Sequence, residues 1–281
     1  MENLKNEDLK NLVKEKYSEI AKCDAEANMA SCCGGTCSST EVYNIMTDDY
    51  SKTEGYNKDA DLGLGCGLPT EFAKIKEGDT VIDLGSGAGN DCFVARSLTG
   101  EKGKVIGVDF SEAMIARAQQ NVDKRGFNNV QFRLGDIENI PVTSCVADVV
   151  VSNCVLNLVP DKQKVFHEIK RVLKNGGHFS ISDVVLEGEL PESVKKTAEF
   201  YAGCISGAIQ KNNYLSLIEK AGFKNITVQK EKQIIVPDDI LKTYLNENEI
   251  ATFKNSKAGI FSITVYAEKP EDCCEGSGCC N

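Results

Sequence analysis

One segment constrains this chain more than any other: Asp83-Leu84-Gly85-Ser86-Gly87-Ala88-Gly89. An apolar run at residues 80–84 reads as a short buried strand, and residues 90–98 read as a helix. Glycines between them allow a tight turn and a close approach of the backbone to a ligand. The spacing is not that of the dinucleotide fingerprint, whose third glycine comes three residues after the second. The lysine of a phosphate-binding loop is also missing.

Strands and helices then alternate. Strands are expected at 104–109, 130–134, 147–152 and 178–185. Helices are expected at 111–125, with Ser111 as N-cap and Gly126 just past the end, and at 161–173, ended by Asn175-Gly176-Gly177. This pattern implies parallel βαβ units with helices on both faces of one sheet. Upstream, residues 4–22 have helical spacing, 40–61 are polar without a period, and a glycine-rich turn at 62–69 leads into a short helix. Downstream, 192–221 read as helical and 225–229 and 260–268 as two further strands, with 231–258 inserted between them.

Asp109 ends the second strand, and a carboxylate there can accept both ribose hydroxyls of a nucleoside. Asp136 ends the third strand, where an adenine amino group would lie. A site for adenosine without phosphate suits S-adenosylmethionine. The expected cofactor residues are Asp83, Gly85, Ser86, Gly87, Gly89, Asp109, Phe110, Met114, Gly135, Asp136, Ile137 and Asn153.

The net charge of −10 repels phosphate backbones, so no nucleic-acid partner is expected. The N-terminus carries no apolar signal segment, and no run of 18 apolar residues exists, so no membrane partner is expected either. These features predict a cytoplasmic protein, and a monomer is compatible with them. In that compartment cysteines stay mainly reduced, so thirteen of them read as metal, metalloid or redox chemistry rather than as a disulfide framework.

Cys154 ends the fourth strand, on the side of an open sheet where ligands bind. The segment Ser152-Asn153-Cys154-Val155-Leu156-Asn157-Leu158-Val159-Pro160-Asp161-Lys162 resembles the signature of arsenite methyltransferases. Leu64-Gly65-Cys66-Gly67 and Gly203-Cys204-Ile205-Ser206-Gly207-Ala208 are similar to two other cysteine motifs of that family. Cys32 falls where its N-terminal cysteine is expected. The resemblance runs from about residue 10 to about residue 225.

It implies an α/β fold of the class I (Rossmann-like) methyltransferase type, a mostly parallel sheet with helices on both faces. Residues 1–66 would form the N-terminal helix and a mobile cysteine loop, 67–185 the S-adenosylmethionine-binding core, 186–268 a region completing the sheet and part of the acceptor site, and 269–281 a flexible cysteine-rich tail. It further implies methyl transfer to trivalent arsenic, supplied as arsenite or methylarsenite, free or as a thiol conjugate. Cys154 and Cys204 would hold the arsenic, and Cys66, on a loop that its glycines let move, would be a third thiol. Cys32 would pair with Cys66 in a disulfide relay reopened by thioredoxin or the glutathione system, with Cys33 and Cys37 as alternatives to Cys32. The tail thiols Cys273, Cys274, Cys279 and Cys280 would be auxiliary collectors of arsenic. Soft trivalent arsenic prefers thiolates, and its lone pair needs no general base. His167 and His178 are accordingly read as structural, and Cys23, Cys92 and Cys145 receive no role.

Overall fold

The computed structural model describes residues 2–21, 48–189, 207–235, 242, 246–255 and 258–271. Seven strands make one sheet: β1 (Thr80–Leu84), β2 (Lys104–Asp109), β3 (Val130–Leu134), β4 (Ala147–Asn153), β5 (Leu173–Glu187), β6 (Lys224–Ile234) and β7 (Gly259–Glu268). Their order is β3-β2-β1-β4-β5-β7-β6. The first five are parallel, and β7 runs antiparallel between β5 and β6. The helices are α1 (Glu2–Ile20), α2 (Pro69–Phe72), α3 (Asn90–Thr99), α4 (Glu112–Arg125), α5 (Lys162–Val172), α6 (Lys211–Lys220) and α7 (Glu247–Asn255).

Side-chain alternation along the strands divides the interior into two cores. Val81, Val105, Val149 and Val151 meet Phe93 of α3 and Met114 and Val122 of α4. Ile82, Ile106, Val108 and Val150 meet Phe166 and Ile169 of α5 and Tyr214 and Ile218 of α6. Strands buried on both faces need apolar residues throughout, which is why β1 and β4 read as runs rather than as alternations. The Ser111 side chain accepts from the Met114 N–H, and Gly126 closes α4 in the left-handed region at φ 67°. Both caps are where the sequence puts them.

Two expectations are corrected. Asn175-Gly176-Gly177 does not separate helix from strand, because β5 begins at Leu173 and runs through it. The Gly176 N–H donates to Lys269 O at 3.1 Å and the Lys269 N–H to Gly177 O at 2.8 Å, so the segment after β7 holds the glycines in line. Similarly, β6 extends to Ile234, because its ladder with β7 continues to Ile260 and shortens the expected insertion, which contains α7. Of the stretch expected to be helical, α6 covers 211–220, and 192–206 lies outside the described residues.

The chain turns one way from β1 to β3 and then crosses to β4 on the other side of β1. A ligand crevice opens at such a reversal, beyond the carboxyl ends of the strands.

Candidate active site

The glycine loop lies in that crevice. Gly85 has φ 69°, and a Cβ there would sit 2.3 Å from the Val155 side chain just after β4, so only glycine lets the two strand ends approach. The Gly85 and Ser86 N–H groups both donate to Val108 O, at 2.7 and 3.0 Å. Asp109 accepts the Gly87 N–H on Oδ2 at 2.9 Å and the Ser111 N–H on Oδ1 at 2.8 Å. Backbone amides, those of Gly87 and Ser111 foremost, therefore orient the carboxylate. Ser86 Oγ is buried with no hydrogen-bond partner among the described residues.

The cleft has two connected ends sharing Gly85, Asp109, Phe110 and Val155. One is lined by Gly135, Asp136 and Ile137. The other is lined by Asp83, Ser86, Gly87, Met114, Asn153 and Cys154. Every residue expected on the cofactor side lines one end or the other except Gly89. Gly89 instead caps α3 at φ 99°, where a Cβ would strike the Phe132 ring at 2.7 Å. Asp136 also has partners of its own. Its Oδ2 accepts from Lys10 Nζ of α1 at 2.7 Å, its Oδ1 from the Glu138 N–H at 2.9 Å, and Lys10 bridges on to Glu138. Helix α1 thus borders this end of the cleft.

The other end is rich in buried acid. Burial pushes Asp91 up to about 6, against the lowering effect of hydrogen bonds from Tyr50 and Asn153. Burial likewise pushes Asp109 up to about 6, against hydrogen bonds from backbone amides. Burial, reinforced by the charge of Asp91, holds Asp83 well above the usual carboxylate range. Asp83 Oδ2 also accepts the Cys92 thiol at 3.2 Å, so Cys92 supports the site from behind. Among the described residues, no lysine or arginine lines this end. Buried carboxylates without a cation suit a positively charged ligand. S-adenosylmethionine, with a sulfonium and an ammonium, fits that demand. Its ribose matches the two-oxygen acceptor at Asp109, and Ser86 Oγ offers an unused polar atom.

These acids also predict a pH effect. A carboxyl whose folded value lies above its unfolded value of about 4 contributes less stability as it ionises. The contribution of Asp91 therefore falls between about pH 4 and about pH 6 and stays low above that. An Asp91→Asn variant lacks this titration. Its melting temperature relative to wild type should rise from about pH 4.5 to about pH 6.5 and then level off. A pH-independent gap in thermal melts would contradict the assignment.

Cys154 follows β4 in the left-handed region at φ 61°, uncommon for a residue with a side chain. Its N–H donates to Ser182 O at 2.8 Å, and the thiol is buried against the cleft. Cys66 is fully buried. Its N–H donates to Asn153 Oδ1 at 3.0 Å, and its carbonyl accepts from Ser262 Oγ. The glycines beside Cys66, expected to let its loop move, also allow close packing in this structure. A Cβ on Gly65 would lie 2.6 Å from Asn153 Nδ2, and one on Gly67 would lie 2.5 Å from Ser182 Oγ. Asn153, expected against the cofactor, also ties the Cys66 loop to the end of β4.

The two thiols share a neighbour in Tyr214. Burial first, then Asp183, then the Cys66 and Cys154 thiols push its phenol well above its usual range. The Tyr214 hydroxyl donates to Asp183 Oδ2 at 3.2 Å, and Asn157 Nδ2 donates to Oδ1 at 2.9 Å. Burial pushes Asp183 up to about 7. Cys145, given no role from the sequence, is disulfide-bonded. His178 Nε2 meets Ala73 O at 2.6 Å, in keeping with a structural part. Cys32, Cys33, Cys37, Cys204 and the four tail thiols lie outside the described residues.

Tyr50, Asp91, Lys10, Asp183 and Tyr214 were missed from the sequence. For Asp91 a local signal exists, since it lies in the first turn of the helix that the glycine loop opens. Tyr50 sits in a polar stretch without period, and nothing local marks it.

A family model described as a methyltransferase domain matches residues 75–222. With this sheet order and this cleft, the chain is a class I S-adenosylmethionine-dependent methyltransferase. The arsenite methyltransferase of Halobacterium salinarum is 40% identical, over 94% of this chain and 67% of its own length. The human arsenite methyltransferase is 36% identical over 69% of this chain, which spans only 55% of that relative. The crystal structure of CrArsM, an arsenic(III) S-adenosylmethionine methyltransferase from Chlamydomonas reinhardtii, matches with a TM-score of 0.63 at 32% identity, covering 82% of this chain and 74% of that one. The chain belongs to the arsenite methyltransferase family.

Proposed function

We propose that this protein transfers methyl groups from S-adenosylmethionine to trivalent arsenic held by cysteine thiolates. The observation carrying this reading is the placement of Cys154, strained and buried, on the wall of the cleft whose other wall is the glycine loop and Asp109. Asp109 would hold the ribose, Asp136 and Ile137 would border the adenine, and Asp91 and Asp83 would face the cationic end. When bound, the methyl donor supplies an electrophilic methyl, and thiolate-held trivalent arsenic keeps a lone pair able to accept it. The protein's part is to hold the two partners in line and exclude water.

Cys154 and Cys204 would bind the arsenic and Cys66 would complete a three-thiol set. Each arsenic–sulfur bond replaces an arsenic–hydroxyl bond, and the thiol proton leaves with the hydroxide as water. Accepting a methyl cation raises arsenic from trivalent to pentavalent, so two electrons must return. Two thiols can supply them and become a disulfide, which fits Cys66 paired with Cys32, or with Cys33 or Cys37. An external thiol reductant of the thioredoxin or glutathione type reopens that bond by exchange. A cytoplasmic setting would keep the thiols reduced. The tail thiols Cys273, Cys274, Cys279 and Cys280 would gather arsenic and pass it inward.

The relay has its own test. A Cys66→Ser variant should lose methylation of arsenite while keeping activity on methylarsenite, read as initial rates with each substrate. Wild-type rates on arsenite in that variant would refute the relay as drawn.

A further inference from the structure

A second cavity lies at the other end of the sheet from the donor cleft, and the two share no lining residue. It encloses about 450 Å³, within the range of small-molecule sites. Lys74 and Lys76 enter it from the segment between α2 and β1, Lys224 from the start of β6 and Lys269 from just after β7. Its acids are Glu268 and Glu271, and among the described residues no arginine lines it. Four lysines thus face two glutamates, in a chain whose net charge is −10.

The acid nearest these lysines is already satisfied by neutral donors. Glu268 Oε1 accepts from the Tyr266 hydroxyl at 2.7 Å and Oε2 from Asn225 Nδ2 at 2.5 Å. Those hydrogen bonds, that of Asn225 foremost, hold its carboxyl below the usual range. Lys230 and Lys232 pair with Asp48, but among the described residues Lys74, Lys76 and Lys224 have no carboxylate in salt-bridge range. These three are exposed, so a ligand can reach them. Lys269 is buried and donates to Leu173 O at 2.7 Å, adding a fixed positive charge behind them.

The backbone marks the same place. Of the four non-glycine residues with positive φ among the described residues, Lys74 at 50° and Asn225 at 52° line this cavity, and Cys154 lines the donor cleft. Lys74 follows the end of α2, where glycine is the usual left-handed residue. A lysine there accepts strain, and in return its Nζ is placed 4.0 Å from the centre of the Tyr266 ring. His178 holds the preceding residue through Nε2 and Ala73 O at 2.6 Å, and its ring lies 5.1 Å from that of Tyr266.

We infer that this cavity binds a phosphate-bearing small molecule, with Lys74, Lys76 and Lys224 meeting the phosphate above a floor of Tyr266 and His178. Lysine ammoniums act as point charges suited to phosphate, whereas carboxylate is matched best by the fork of an arginine. An anion also relieves the repulsion among lysines gathered around one void. The volume leaves room for an organic group beside the phosphate. The site stands apart from methyl transfer and does not rest on the arsenic chemistry.

The test is calorimetric titration of the full chain with glycerol 3-phosphate and with inorganic phosphate, chloride matching the ionic strength. Glycerol 3-phosphate should bind saturably and at least about threefold tighter than inorganic phosphate. Saturating S-adenosylhomocysteine should change its affinity less than about twofold, since the two sites share no residue. Lys74→Gly should weaken binding at least about fivefold and Lys224→Glu at least about tenfold. Lys74→Gly also relieves the left-handed strain, so it should melt within about 3 °C of wild type. A further measurement needs no variant. In wild type, glycerol 3-phosphate should slow acetylation of Lys74, Lys76 and Lys224 at least about threefold, read by peptide mass spectrometry, and leave exposed Lys124 of α4 unchanged. The inference is overturned by absence of saturable binding, by inorganic phosphate binding as tightly as the ester, or by displacement with S-adenosylhomocysteine. Unchanged affinity in both variants, or unchanged acetylation at all three lysines, overturns it equally.

Discussion

Replacing Cys154 by serine should lower arsenite methylation more than about 100-fold while leaving the protein folded. The hydroxyl is nearly isosteric but hard, and soft trivalent arsenic binds it poorly compared with a thiolate. Loss of one ligand beside the donor pocket also forfeits alignment, and misplacement by about 1 Å alone can cost about 10²-fold. The backbone offers an independent check. Cys154 sits at φ 61°, where a residue with a Cβ is disfavoured by about 1 kcal/mol or more. A Cys154→Gly variant relieves that strain and gives up the contacts of a small buried side chain, about 1 kcal/mol in the other direction. Its melting temperature should therefore change little while methylation disappears. A purely structural cysteine would show the reverse, with stability lost and activity kept in the folded fraction.

The second large effect is expected at Asp109. An Asp109→Asn variant keeps the shape of the side chain and loses both the charge and one of two acceptors. Hydrogen bonds to charged groups contribute about 1.5–3 kcal/mol each, so donor affinity should fall about 100-fold in calorimetric titration with S-adenosylhomocysteine. The amides of Gly87 and Ser111 that now meet the carboxylate lose part of their partner as well. Arsenite binding in the absence of donor should stay within about threefold of wild type, because Asp109 ends β2 against the glycine loop and offers no thiol. A donor affinity unchanged within about threefold would remove Asp109 from the cofactor site.

Local signals carried much of this fold. The Ser111 cap, the Gly126 stop and the strands Thr80–Leu84, Lys104–Asp109 and Val130–Leu134 each follow from a few neighbouring residues, and each is where those residues place it. What escaped is set by partners distant in sequence. Residues Asn175-Gly176-Gly177 look like a helix stop until the segment after β7, more than 90 residues on, pairs with them. The strand-end acids were legible because topology alone brings strand ends together. Tyr50 was not, because its importance comes from Asp91, 41 positions later, and Asn153, 103 positions later. The glycines around Cys66 show the same limit. Conformational freedom and tight packing both select glycine, and only the positions of Asn153 and Ser182 reveal the packing demand here.

The proposed function requires that a methyl group move from S-adenosylmethionine to arsenic on this chain. It is tested most directly by a single turnover with methyl-labelled S-adenosylmethionine, arsenite and a thiol reductant, followed by separation of the arsenic species. Label should appear on arsenic in proportion to S-adenosylhomocysteine formed, dependent on arsenite and absent from Cys154→Ser. Arsenite bound by the protein with no label transferred to it, in the presence of bound donor, would contradict it.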